Sequence, residues 1–115
     1  MEHQELNIQV YFREDGTSPY YEWFDTIKDK KTKARILVRI DKLACGHFGD
    51  YKSVGEGVLE LRLAFGPGFR IYFCLNGNQI LILLMGGDKT SQYKDIILAK
   101  KLYIEFKERQ KGEIV

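Results

Sequence analysis

Three apolar runs broken by two tight-turn signals fill residues 57–84, "GVLELRLAFGPGFRIYFCLNGNQILILL", and no other stretch restricts the fold as strongly. Runs rich in Leu, Ile, Phe and Tyr, separated by Gly-Pro-Gly and Asn-Gly, predict consecutive antiparallel strands over about 58–65, 69–75 and 79–85. Alternation sets an expected register, because directly opposed residues share a face of the sheet. With 66–68 as a three-residue loop, Phe65 pairs with Phe69, Leu63 with Ile71, Leu61 with Phe73 and Leu59 with Leu75. That face is apolar throughout. The opposite face pairs Ala64 with Arg70, Arg62 with Tyr72 and Glu60 with Cys74. A two-residue turn at Asn76-Gly77 pairs Phe73 with Ile80, Ile71 with Ile82 and Phe69 with Leu84, and sets Arg70 opposite Leu83. Arg62 and Arg70 then become diagonal neighbours, roughly 7–8 Å apart. The last strand is apolar on both faces, as a central strand is.

The flanking segments read as one strand and three helices. Residues 6–12, "LNIQVYF", are strand formers. Ser18-Pro19 marks a helix start, since the hydroxyl caps free N–H groups and proline suits the first helical position. Tyr20, Trp23, Phe24 and Ile27 follow on one helical stripe. A second helix over about 30–45 turns Ile36, Ile40, Leu43 and Ala44 inward and ends at Gly46, a left-handed cap position. Residues 46–57 form a glycine-rich loop with a short strand around Tyr51–Val54. A last helix runs from Thr90 or Ser91 to about Arg109 with Ile96, Ala99, Leu102, Tyr103 and Phe106 inward, and "KGEIV" is expected to fray.

These elements predict one α+β domain over residues 1–115, in the order β-α-α-β-β-β-α. An antiparallel sheet of four to five strands carries an N-terminal helical hairpin on one face and a C-terminal helix. No apolar run approaches the roughly 18 residues that span a bilayer, and "MEHQELNIQVYF" lacks the pattern of a secretory signal, so a cytoplasmic location is expected. Cys45, Cys74, His3 and His47 have no metal-ligand spacing, so no metal or cofactor is implied.

Net charge is only +2, but its distribution is uneven. Seven basic side chains (Lys28, Lys30, Lys31, Lys33, Arg35, Arg39 and Lys42) crowd residues 28–42 against Asp29 and Asp41. Lys30, Lys31, Lys33, Arg35 and Arg39 are therefore candidates for an RNA or ribosome surface, joined by Lys52 from the glycine-rich loop. A solvated helix face is the plainer reading. On the expected register, Lys89 in "GGDKTSQ" emerges near Arg62 and Arg70, and Gly86 and Gly87 permit close backbone approach or hinge motion.

Such a cluster suits a phosphodiester: arginine forks grip phosphate oxygens and the growing charge of a transition state. RNA supplies its own nucleophile, the 2′-hydroxyl. Proton transfer is still required, and Lys89, Tyr72 and Tyr93 are the candidates. Glu60, Asp50 or Asp88 could instead simply neutralise the arginines.

Beyond these derivations, "GVLELRLAFGPGFRIYF" followed by "LLMGGDKTSQYKDIILAKK" resembles the RelE/ParE toxin superfamily, in its HigB-like branch of phage-derived or addiction-module killer proteins. The resemblance implies a RelE-like fold and a bacterial type II toxin. It implies a helix-turn-helix, HigA-like antitoxin that neutralises the toxin and alone contacts operator DNA. RelE and HigB relatives cleave mRNA in the ribosomal A site, without metal, through the 2′-hydroxyl. By this likeness Arg70 holds the scissile phosphate, Arg62 contacts mRNA or assists the transition state, and Lys89 lies near the leaving group. The likeness has gaps: Glu60 stands where RelE-type members tend to carry lysine, Tyr93 falls about two residues early, and no late histidine exists. A ParE-like DNA gyrase poison and a catalytically silent antitoxin-binding module are the alternatives.

Overall fold

A computed structural model describes residues 5–113. His3, Ile114 and Val115 lie outside that range. The elements are β1 (Asn7–Val10), α1 (Pro19–Thr26), α2 (Lys30–Ala44), β2 (Tyr51–Gly55), β3 (Val58–Arg62), β4 (Arg70–Asn76), β5 (Ile80–Gly87), a short 3-10 turn (Lys89–Ser91) and α3 (Gln92–Glu113). The five strands form one sheet in the order β1-β5-β4-β3-β2. β2 to β5 are antiparallel, but β1 runs parallel to β5, with Asn7 opposite Ile80 and Val10 opposite Leu83. The sheet is therefore mixed, not antiparallel throughout. No hairpin links β1 to β5, so no tight turn dictates their relative direction.

The helix ends follow local chemistry. Ser18 Oγ accepts from the Tyr21 N–H and caps α1 with Pro19 at its first position; Asp29 caps α2 through the Thr32 N–H. Gly46, at φ 84°, closes α2 in the left-handed region. α3 continues as helix to Glu113, so Lys111–Glu113 do not fray as expected.

Apolar residues cover both faces of the sheet. On one, Tyr20, Ile27, Ile36, Ile40 and Leu43 from α1 and α2 pack on Leu61, Leu63, Ile71, Phe73, Leu81 and Leu83. α1 lies over β5, and Lys33 Nζ of α2 stands 5.0 Å from the centre of the Phe24 ring of α1. Both helices contribute to the apolar layer on this face, but the expected helical hairpin between them is not shown. On the opposite face, Ala99 and Leu102 of α3 cover Val58, Tyr72, Cys74, Ile82, Leu84 and Met85.

The strand registers differ from the expected ones. Leu63 N–H donates to Phe69 O at 3.0 Å, so the first turn has five loop residues, 64–68, and Leu61 faces Ile71 instead of Phe73. This slip of two residues leaves every side chain on its expected face. The second turn is also longer: Asn76 pairs with Ile80 around Gly77, Asn78 and Gln79. A bulge between Tyr72 and Phe73 then shifts the register again, so that Arg70 faces Gly87 instead of Leu83. In β5, Leu81 and Leu83 consequently face α1 and α2, while Ile82 and Leu84 face α3, the reverse of expectation. Because β5 is apolar at each position from Ile80 to Met85, either phase buries equally good surface, and alternation carries no register information there.

Candidate functional site

The revised register brings the two arginines closer than expected. Arg62 and Arg70 are directly opposite on β3 and β4, and Glu60 is opposite Tyr72 one step further into the sheet. All four side chains share the face that α3 covers. Like charges directly opposed across a ladder repel, so this arrangement needs a counter-charge or a ligand. Part of the counter-charge comes from Glu60, which is fully buried. Its Oε1 lies 3.5 Å from Arg62 Nε and 3.9 Å from Lys52 Nζ. Its Oε2 accepts from Tyr72 Oη at 3.0 Å and from Gln92 Nε2 at 2.9 Å.

The five-residue loop sets the outer wall. Arg70 Nη1 donates to Gly68 O at 2.5 Å. A Cβ built on Gly68 would come within 3.0 Å of both Arg70 Nη1 and Lys89 Cβ, so Lys89 and Arg70 flank the same glycine. Lys89 arrives there because β5 ends opposite Arg70 and the Lys89 N–H points to Pro67 O at 3.5 Å. Arg62, Arg70, Lys89 and Lys52 therefore ring one end of the sheet, with the Glu60 carboxylate beneath.

The tyrosines part company. Tyr72 is fully buried; burial above all, and then the neighbouring Glu60 carboxylate, holds its phenol far above the ordinary value, so it donates to Glu60 as the neutral form. Tyr93, in the first turn of α3, is 81% exposed. Two polar residues absent from the sequence reading also reach this end. Gln92 bridges α3 to Glu60, and Asp95 accepts from Ser91 Oγ at 2.5 Å over Gly87, with its carboxyl pKa raised chiefly by burial. Their signal was present: Gln92, Asp95, Ala99 and Leu102 fall on the inward stripe of α3, where polar residues call for partners.

The basic helix stands apart from this cluster, on the other face of the sheet. Lys30, Lys31 and Arg35 are exposed, and Lys33 is half-buried against Phe24. Arg39 is largely committed: Nη1 donates to His47 O at 3.2 Å and Nη2 to Phe48 O, tying the loop after α2. Two features connect the faces around the end of the sheet. Arg35 stacks 4.0 Å from the centre of the Phe65 ring in the 64–68 loop. An open cavity of about 330 Å³, lined by Arg39, Lys42, His47, Asp50, Arg62 and Phe65 among others, joins the end of α2 to Arg62.

With this geometry in place, comparison with known proteins assigns a family. Residues 22–109 match the family described as "Phage derived protein Gp49-like (DUF891)". The chain belongs to the Gp49-like family. This family is associated with toxin–antitoxin systems and is RelE/HigB-like, which points to an antitoxin as partner. A Haemophilus influenzae relative, named only "Uncharacterized protein", is 44% identical over 86 residues, covering 75% of this chain and 87% of its own. The Gp49-like match includes all of α2 to β5 and most of α3, and with them every residue of the cationic end. No helix among the described residues is long and apolar enough to cross a membrane.

Proposed function

We propose that this Gp49-like protein is the toxin of a type II toxin–antitoxin pair and acts as a metal-independent endoribonuclease on mRNA in the ribosomal A site. The observation that carries the reading is the Arg62–Arg70 pair, directly opposed at an open end of the sheet with Lys89 beside it. The repulsion between two arginines opposed in this way is best relieved by a phosphodiester, whose non-bridging oxygens accept from both. The ribose 2′-oxygen attacks phosphorus, the P–O5′ bond breaks, and a 2′,3′-cyclic phosphate and a 5′-hydroxyl result. Arg62 and Arg70 stabilise charge growing on phosphorus. Lys89 is the group for the leaving oxygen. Tyr93 is the accessible tyrosine for proton transfer, whereas Tyr72 serves the site from below through Glu60. Exposed Lys30, Lys31, Arg35 and Lys52 add salt-sensitive attraction to ribosomal RNA or mRNA. A HigA-like, helix-turn-helix antitoxin neutralises the toxin, and only the antitoxin contacts operator DNA. The pair works in the cytoplasm.

A cell-free translation reaction with purified wild type and Arg70→Ala, read by primer extension, tests the reading. New 5′ ends within ribosome-occupied codons are expected with wild type, reduced by roughly 100-fold or more in the folded variant. Wild-type folding without any cuts would overturn it, and DNA breaks that depend on gyrase would transfer the function to gyrase poisoning.

A further inference from the structure

Among the described residues Glu60 is the charged side chain with no exposure at all, and an isolated buried carboxylate is costly. A well-packed apolar residue in place of a buried ionic group is often as stable or more so, so stability is a weak reason for this one. Its two oxygens are used unequally. Oε2 is satisfied by Tyr72 and Gln92, whereas Oε1 has no hydrogen bond and faces Arg62 Nε at 3.5 Å, with Lys52 Nζ further off at 3.9 Å. Arg62 Nε is itself sealed from solvent without a hydrogen bond, although 39% of its side chain stays accessible. The inner edge of the guanidinium is therefore turned to the carboxylate and its Nη edge to the surface.

The geometry points to Glu60 as the positioning residue of Arg62: held by Tyr72 and Gln92, it attracts Nε and so aims both Nη groups at an anion bridging Arg62 and Arg70. Tyr72 and Gln92 come from β4 and the start of α3, so the carboxylate is braced from two elements while part of the Arg62 side chain stays accessible. Contracting the 3.5 Å gap by a few tenths of an ångström would complete the Nε–H hydrogen bond, so binding of an anion and alignment of the arginine reinforce each other.

The activity arm of the test rests on the ribonuclease reading. Single-turnover cleavage on saturating ribosome–mRNA complexes is measured for wild type, Glu60→Gln, Arg62→Ala and the double variant. Glu60→Gln keeps the size and an acceptor for Tyr72 but removes the charge. It should lower the saturating cleavage rate roughly 10- to 100-fold, the loss expected when a phosphate-gripping group is misaligned. In the Arg62→Ala background the same substitution should change the rate less than about twofold, because its effect passes through Arg62. Additive losses, or a wild-type rate for Glu60→Gln, would overturn the assignment. Glu60→Leu/Tyr72→Phe, which removes carboxylate and buried hydroxyl together, guards against misfolding and should be folded by circular dichroism yet equally slow. If wild type makes no cuts, the ribonuclease reading fails by itself, and the same cycle is run on affinity for a short single-stranded RNA. Coupling there upholds the positioning role; additivity, or no RNA binding by wild type, rejects it.

Discussion

Gly86 and Gly87 show at single-residue scale why small side chains are needed at the end of β5. A Cβ on Gly86 would lie 2.2 Å from the Trp23 ring of α1, and one on Gly87 would lie 1.8 Å from Asp95 Oδ2 of α3. The two glycines admit close approach from opposite faces, one helix to each. This is the close backbone approach that the Gly86-Gly87 pair allows. Gly86→Ala is therefore expected to cost about 1–3 kcal/mol through overpacking against a rigid indole. Gly112→Ala, in open space near the end of α3, should change stability by between zero and about 1 kcal/mol in the favourable direction. Urea midpoints of the two variants check both values, and a Gly86→Ala midpoint equal to wild type would contradict the packing argument.

At the scale of elements, the link from β5 to α3 places Lys89 and Gln92, and Asp88 holds that link. Its Oδ1 accepts from the Thr90 hydroxyl and from the Thr90 and Ser91 N–H groups, while Ser91 Oγ accepts from the Asp88 N–H, a reciprocal capping box. The Thr90 hydroxyl bond is the chief reason that the Asp88 carboxyl lies below its ordinary value of 3.8. A carboxyl lowered in the folded state adds stability above its unfolded value, and that stability is lost as pH falls through the folded value. Stability should thus decline below about pH 3.8 with a contribution from Asp88. Asp88→Asn should remove that contribution while keeping most of the cap at neutral pH, whereas Asp88→Ala should cost about 1 kcal/mol at any pH above 5. Thermal midpoints between pH 2.5 and 7 separate the two. Identical acid limbs in wild type and Asp88→Asn would refute the assignment.

For the whole molecule, the sheet is the shared wall of two apolar layers, so neither layer is complete without it. Leu43 belongs to the layer under α1 and α2, and Leu102 to the layer under α3; both are fully buried. Either Leu→Ala change is expected to cost about 2–5 kcal/mol. Because the layers share strands, both should shift one transition. Trp23, the single tryptophan, reports the α1 layer, so Leu102→Ala should lower its fluorescence transition as much as the circular dichroism transition. A Trp23 transition left in place by Leu102→Ala would mean that the layers unfold separately.

The element order, the capped start of α1 and the inward stripes of the helices were legible in the sequence, because each depends on local chemistry or short-range periodicity. The apolar face of β3 and β4 was legible for the same reason, and it survived a two-residue slip that side-chain alternation cannot detect. What lay beyond the sequence were quantities set by partners distant in the chain. β1 runs parallel to β5, the phase of β5 depends on a longer turn and a bulge, and Arg39 is occupied by the carbonyls of His47 and Phe48. Glu60 is the sharpest case. As a lone acid in an apolar strand it reads as a neutraliser of nearby arginines, and only the tertiary structure, by bringing Tyr72 from β4 and Gln92 from α3 onto one oxygen, leaves the other to face Arg62. Local sequence determined which side chains lie on which face of β3 and β4; long-range packing decided which of them meet, because burial rewards any register that keeps the faces apolar and only the assembled neighbours distinguish one register from the next.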